Sequence, residues 1–141
     1  MLGDDGHAAR VYAFLLPYGS LNAVAPIEAA LGSASRALGM LATVLGRFAD
    51  AARHYDDALR MNRGMGARPW VAHTEADYAR MLLARAESGD RERALELIRS
   101  SLAGYRRLGM DSFATEATLL ERTLSAAGGS AYPNASPTRG T

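Results

Sequence analysis

Cysteine is missing from the 141 residues altogether. Its absence excludes disulfides, thiolate catalysis and cysteine-type zinc sites. A surplus of one charge is missing as well, since the formal net charge is only +1. A chain so balanced sets up no field able to gather nucleic acid or anionic lipid, and neither is expected as a direct partner. β-Branched residues are scarce beside Ala, Leu and Arg, which favours helix over strand. No Gly-rich phosphate loop follows a strand, and Gly64-Met65-Gly66 reads as a helix terminator. Ser20, Ser88 and Ser125 have no nucleophile context, so no cofactor and no catalysis are expected. The N-terminal MLGDDGHAAR is acidic before it is apolar, unlike a secretory signal, so a cytoplasmic location is expected.

A long uninterrupted apolar run is also lacking. Between Leu21 and Leu45 the only charges are Glu28 and Arg36. Arg36 falls near the middle, where a bilayer would cost about 2.5–3.5 kcal/mol. A central helix packed on both sides accounts for the same composition without a membrane. What remains is an ordinary soluble composition, 48% hydrophobic and 22% charged, in a length that suits one domain with a sizeable core.

The most structured stretch is Gly46 to Leu59, GRFADAARHYDDAL. Gly46 frees a turn between antiparallel helices. Ala51 and Ala58 are small where helices must approach closely, and Phe48, Tyr55 and Leu59 fall at helical spacing to fill the gaps. The order G-x-[FY]-x-x-A-x-x-x-[FY]-x-x-A-L resembles the second helix of a tetratricopeptide repeat. A shift of 43 residues lays Gly46 over Gly89, Ala51 over Ala94, Tyr55 over Ile98 and Leu59 over Leu102. It also lays Gly66 over Gly109 and Trp70 over Phe113, and backwards it reaches Gly3, Ala8, Tyr12 and Leu16. That period exceeds the usual repeat of about 34, so each helix is longer by a little over one turn.

The expected fold is therefore all-α, a tetratricopeptide-like solenoid over residues 1–127 with a disordered tail over 128–141. Asp5 to Leu16 is read as a second helix without its partner, ended by Pro17. Tyr18 to Ala25 is a loop, and Pro26 opens a helix running to Leu45. Gly32 and Gly39 inside that helix point to packing constraints, because each costs about 1 kcal/mol relative to alanine. Further helices are expected over Arg47–Arg63, Pro69–Glu87, a segment capped by Asp90 and running to Leu108, and a last one from about Asp111. No sheet is expected.

Two histidines draw attention. His54 lies among Asp50 and Asp57, where a metal is conceivable but ion pairs of those carboxylates with Arg53 and Arg60 are expected instead. His73 and Asp77 share a helix face at a spacing of four, either as a proton-transfer pair or as one ordinary hydrogen bond.

A closer likeness rests on Leu45–Arg85, with its G-A-R-P-W and D-Y-A-R elements, and on Gly89–Met110, with G-D-R-E-R-A-L-E-L. These resemble the C-terminal repeat region of actinobacterial signalling proteins built on AAA-type or STAND-type ATPases. Those proteins also carry an adenylate or guanylate cyclase domain or a LuxR-type helix-turn-helix. The resemblance implies a sensor or partner-binding role, either as a fragment of such a regulator or as a stand-alone remnant. It carries over neither ATP hydrolysis nor DNA binding, because the residues for both are missing.

A non-catalytic scaffold for a protein or peptide, or for sensing a small ligand, is the leading expectation. In stacked helix pairs the first helix of each pair builds the concave face. That makes Arg36, Met40, Thr43, His73, Asp77 and Arg80 the expected groove residues. One alternative is a structural oligomerisation unit, associating through Ala8, Val11, Tyr12, Leu15 and Leu16 of the unpartnered first helix. The other is a small helical enzyme or nucleotide-binding protein.

Overall fold

The computed structural model describes residues 2–20, 22–24 and 30–128. The tail expectation for residues 129–141 and the Pro26 helix start lie outside them; Gly128 itself closes the last helix. The described chain is dominated by helices: α1 (Leu2–Leu15), α2 (Ala34–Val44), α3 (Phe48–Gly64), α4 (Arg68–Arg85), α5 (Asp90–Arg107) and α6 (Asp111–Gly128). None of them is long and apolar enough to cross a membrane.

Two expectations about the first third are corrected. Where a helix over Pro26–Leu45 is predicted, α2 begins only at Ala34. Ser33 is the reason: its backbone is extended and its Oγ accepts from the Ser35 amide at 3.2 Å, capping the helix there. Ser33 also ends strand β2 (Ala30–Ser33), which is antiparallel to β1 (Asn22–Val24), with an irregular register between Asn22 and Val24. A short antiparallel strand pair thus stands where no sheet is expected. The link from α1 runs through a short 3-10 turn, Leu16–Tyr18, whose Pro17 replaces the helical continuation. Ser35 Oγ then donates to the Gly19 carbonyl, fastening that turn to the start of α2.

Consecutive helices pack on one another from α1 to α6, and α2 also reaches α4. Three of the turns share one geometry. Gly46, Gly66 and Gly109 all have φ near +70°, where a side chain would be strained. At each, the glycine amide bonds a carbonyl three residues back and the next amide one five residues back, for example Gly46 N to Thr43 O at 3.0 Å and Arg47 N to Ala42 O at 2.9 Å. The turn between α4 and α5 differs. Asp90 is not an N-cap but the first helical residue, and its carboxylate reaches back to Arg85 at 2.5 and 2.8 Å and to the Glu87 amide at 2.9 Å. Those bonds hold the Asp90 carboxyl below the usual carboxylate range, the Arg85 hydrogen bonds first among the causes.

The core lies along the shared faces. Ala51 and Tyr55 of α3 and Ala94 and Ile98 of α5 are fully buried, and Leu59 and Leu102 are buried as well. Helix α2 lies so close to α3 that a Cβ on Gly39 would sit 2.8 Å from the Tyr55 ring. Tyr55 in turn stacks on Tyr78 of α4 with ring centroids 5.3 Å apart.

Helix α1 is not the unpartnered helix that its sequence implies. Ala8 and Tyr12 are buried, Val11 and Leu15 are half-buried, and of the five apolar residues named above only Leu16 stays exposed. The cause is packing of α1 on α2, and a 2.7 Å hydrogen bond between the Tyr12 hydroxyl and His54 Nε2 ties α1 to α3 as well. The Arg47 guanidinium covers the Tyr12 ring at 5.5 Å.

Candidate partner-binding groove

Helices α2, α4 and α6 meet along one face, and four of the six expected groove residues line a depression of about 90 Å³ there: Arg36, His73, Asp77 and Arg80. Their spacing explains the convergence. His73, Asp77 and Arg80 recur at helical intervals of four and three on α4, so they stand on one stripe. Arg36 of α2 crosses to that stripe, its Nε donating to Asp77 Oδ2 at 2.8 Å and its outer nitrogen approaching the same oxygen at 2.6 Å. Arg80 donates to Asp77 Oδ1 at 3.2 Å and lies 3.8 Å from Glu116 of α6. One half-buried carboxylate therefore joins two guanidiniums, and the second leads on to another carboxylate. Ion pairing runs across all three helices.

Beside this charged row sits an aromatic one. His73 Nδ1 is 2.8 Å from the Tyr105 hydroxyl of α5. Its ring meets the edge of Phe113 at 4.6 Å, and Tyr105 and Phe113 stack at 5.4 Å. Burial lowers the His73 pKa, with Arg36 and then Arg80 acting in the same direction against Asp77. Burial likewise raises the Tyr105 phenol. The imidazole is therefore neutral at physiological pH and exchanges a hydrogen bond with a protonated phenol. His73 and Asp77 share a face as expected, yet each takes a different partner.

The other two expected residues stand outside the depression. Met40 follows Arg36 by four residues and is exposed, extending the same side of α2 as an apolar contact surface. Thr43 is half-buried and turns its hydroxyl to the Gly39 carbonyl at 2.8 Å, with the Tyr55 hydroxyl 3.5 Å away. Its role is within the core.

Sequence reasoning missed Trp70, Tyr105, Phe113 and Glu116. The Arg36 guanidinium lies 5.7 Å from the Trp70 ring centre. A signal for two of these existed, since the 43-residue shift superposes Trp70 on Phe113. Both prove to be ring neighbours of His73, Trp70 at 5.5 Å. At the other histidine the expected ion pairs are present: Asp50 with Arg53, and Asp57 with Arg60 at 2.6 Å. His54 itself is held by Tyr12, and burial lowers its pKa, assisted by Arg53.

No protein-family model, curated protein or solved structure matches this chain.

Proposed function

We propose that this chain is a tetratricopeptide-like repeat scaffold that holds a protein or peptide partner in the groove of α2, α4 and α6. The observation carrying the reading is the convergence of Arg36, His73, Asp77 and Arg80 with Phe113 and Glu116 from three alternate helices. An exposed Phe113 and an exposed Met40 give apolar anchorage beside that polar network. Matching burial along α3 and α5 at a shift of 43, and a shared turn geometry at Gly66 and Gly109, support the repeat itself. The likeness of Leu45–Arg85 and Gly89–Met110 to repeat regions of ATPase-based signalling proteins supports a role within a regulator. The scaffold is read as non-catalytic because His73 and Asp77, the pair best suited to proton transfer, are engaged by Tyr105 and by two arginines.

Selection of peptides from a random display library, followed by titration calorimetry, tests the reading. Arg80→Glu and Phe113→Ala alter exposed groove residues and should each weaken selected peptides about tenfold, as expected of central interface residues. Peptides bound equally by both variants would overturn it. The exposed Phe14, Leu16 and Tyr18 near the N-terminal end favour a second reading, a self-associating unit. A size measurement in solution separates that from a monomeric binder.

A further inference from the structure

A second cavity, larger than the groove depression, lies elsewhere in the fold. It encloses about 560 Å³ and lies among the C-terminal end of α3, the first turns of α4 and the C-terminal half of α5. That volume falls within the range of small-molecule sites. Four observations define what it would accept.

The first is charge. Among the described residues, Arg63, Arg68 and Arg107 line the cavity against one carboxylate, Glu75, leaving an excess of two positive charges. The second is which of these charges are free. Glu75 is buried and holds Arg63 at 3.1 Å and Ser100 Oγ at 2.9 Å, both through Oε1. Neither Arg68 nor Arg107 makes an ion pair among the described residues.

The third is an unsatisfied acceptor. Asn62, a lining residue, is fully buried, and its Oδ1 has no hydrogen-bond partner among the described residues. Its Nδ2 donates to Thr74 Oγ1 at 3.3 Å, and that hydroxyl spends its own hydrogen on the Trp70 carbonyl at 2.6 Å. Reversing the amide would not help, because the nitrogen would then lack an acceptor. A buried acceptor left so is costly, and such groups in folded proteins commonly mark a missing donor. The fourth is the wall. Val71, Ala72 and Leu108 supply apolar surface but no aromatic ring lines the space among the described residues, so a flat base finds no stacking partner there. The cavity wall at Gly104 is firm, since even a Cβ there would stand 3.2 Å from that of Ala72.

We propose that this cavity binds a small hydroxylated phosphomonoester of the sugar phosphate class. A phosphate dianion matches the excess of two charges and meets Arg68 and Arg107, whose guanidiniums suit bidentate recognition. The sugar hydroxyls donate toward Asn62 Oδ1 and the Glu75 carboxylate, which ask for hydrogen-bond donors. The proposal is independent of the groove.

Calorimetric titration of the full chain with ribose 5-phosphate, ribose, inorganic phosphate and adenosine monophosphate tests it. Ribose 5-phosphate should bind at least tenfold tighter than ribose or inorganic phosphate. Arg68→Gln and Arg107→Gln, both at exposed positions, should each weaken it about tenfold while leaving the helical dichroism unchanged. Asn62→Ser should weaken it as well. Arg80→Glu, in the groove, should leave binding intact. No binding of ribose 5-phosphate at millimolar concentration would overturn the proposal. So would inorganic phosphate binding equally well, adenosine monophosphate binding more tightly, or affinity indifferent to both arginines.

Discussion

Replacing Gly39 by alanine sets two opposed effects against each other at a single atom. In the middle of α2 the change removes a residue with poor helix propensity, worth about 1 kcal/mol in favour of the variant. The new Cβ, however, would stand 2.8, 2.9 and 3.0 Å from Cε1, Cδ1 and Cζ of Tyr55. Carbon atoms in good contact sit about 3.5–4.0 Å apart, so the ring or the helix must move by several tenths of an ångström. Tyr55 has little room to do so. Its side chain is 1% exposed, its ring stacks on Tyr78 at an interplanar angle of 20°, and burial pushes its phenol up to about 12. Overpacking of this kind costs about 1–3 kcal/mol, and a ring clamped on its far side belongs in the upper half of that range.

The net expectation is a loss of about 1–2 kcal/mol, or roughly 4–8 °C in Tm for a domain of this size. Urea titrations of the parent and of Gly39→Ala measure it, with Gly6→Ala as the internal control. Gly6 lies in α1 with nothing within 4 Å of where its Cβ would stand, so there only the propensity gain applies. The same substitution should thus move the two midpoints in opposite directions. In a Tyr55→Leu background the penalty at Gly39 should shrink by about 1 kcal/mol, the coupling of two residues in contact. A Gly39→Ala protein as stable as the parent, or more so, would refute the close approach of α2 and α3.

Ala51→Leu and Ala94→Leu should each cost about 1–3 kcal/mol by overpacking, since both alanines are fully buried between helices; unchanged denaturant midpoints would show that neither contact is tight. Acidification should destabilise the fold through His54 and His73, whose folded pKa values lie below the unfolded value of about 6.5. The unfolded chain binds the proton first, so this stability is complete above about pH 6.5 and falls as the pH drops through that value toward the folded pKa values. Melting temperatures of His54→Gln/His73→Gln should therefore decline less between pH 7.5 and about 5.5 than those of the parent, and equal slopes would count against half-buried neutral imidazoles.

The features legible in the sequence are those fixed by a single local requirement. Gly46, Gly66 and Gly109 stand where the backbone enters the left-handed region, and only a residue without a side chain does so freely. Gly39 and Ala51 are small because a neighbouring helix occupies the space, and helical spacing reveals which positions face inward. Ser33 is harder to read. Its capping bond competes with a Pro-initiated helix that the Ala- and Gly-rich run equally suits, and the short pairing of Ala30–Ser33 with Asn22–Val24 settles the boundary. The spacing of His73 and Asp77 locates both on one face but not their partners, which come from α5 and α2 at separations of 32 and 41 residues. The larger cavity has no signature at all, because three helix segments that are distant in sequence create it.

The two sides of the helix stack differ in charge arithmetic, and this sorts what each can hold. In the groove, Arg36 and Arg80 are balanced by Asp77 and Glu116. Asp77 is the member that matters most, because it lies between both guanidiniums and is more buried than either. With it in place the row is neutral and already internally paired. A segment bound as proposed would gain little from bringing a net charge and more from covering Phe113 and Met40 while exchanging hydrogen bonds along the row. The cavity beyond α4 is the reverse case. There Glu75 neutralises only one of three arginines, its Oε1 is engaged by Arg63 and Ser100, and the other two guanidiniums make no ion pair among the described residues. An anion entering that space meets charge the fold has not compensated, and it need break no existing pair to bind. The partner proposed for one side, neutral or mixed, and the anion proposed for the other both trace to two carboxylates, Asp77 and Glu75, on the same helix.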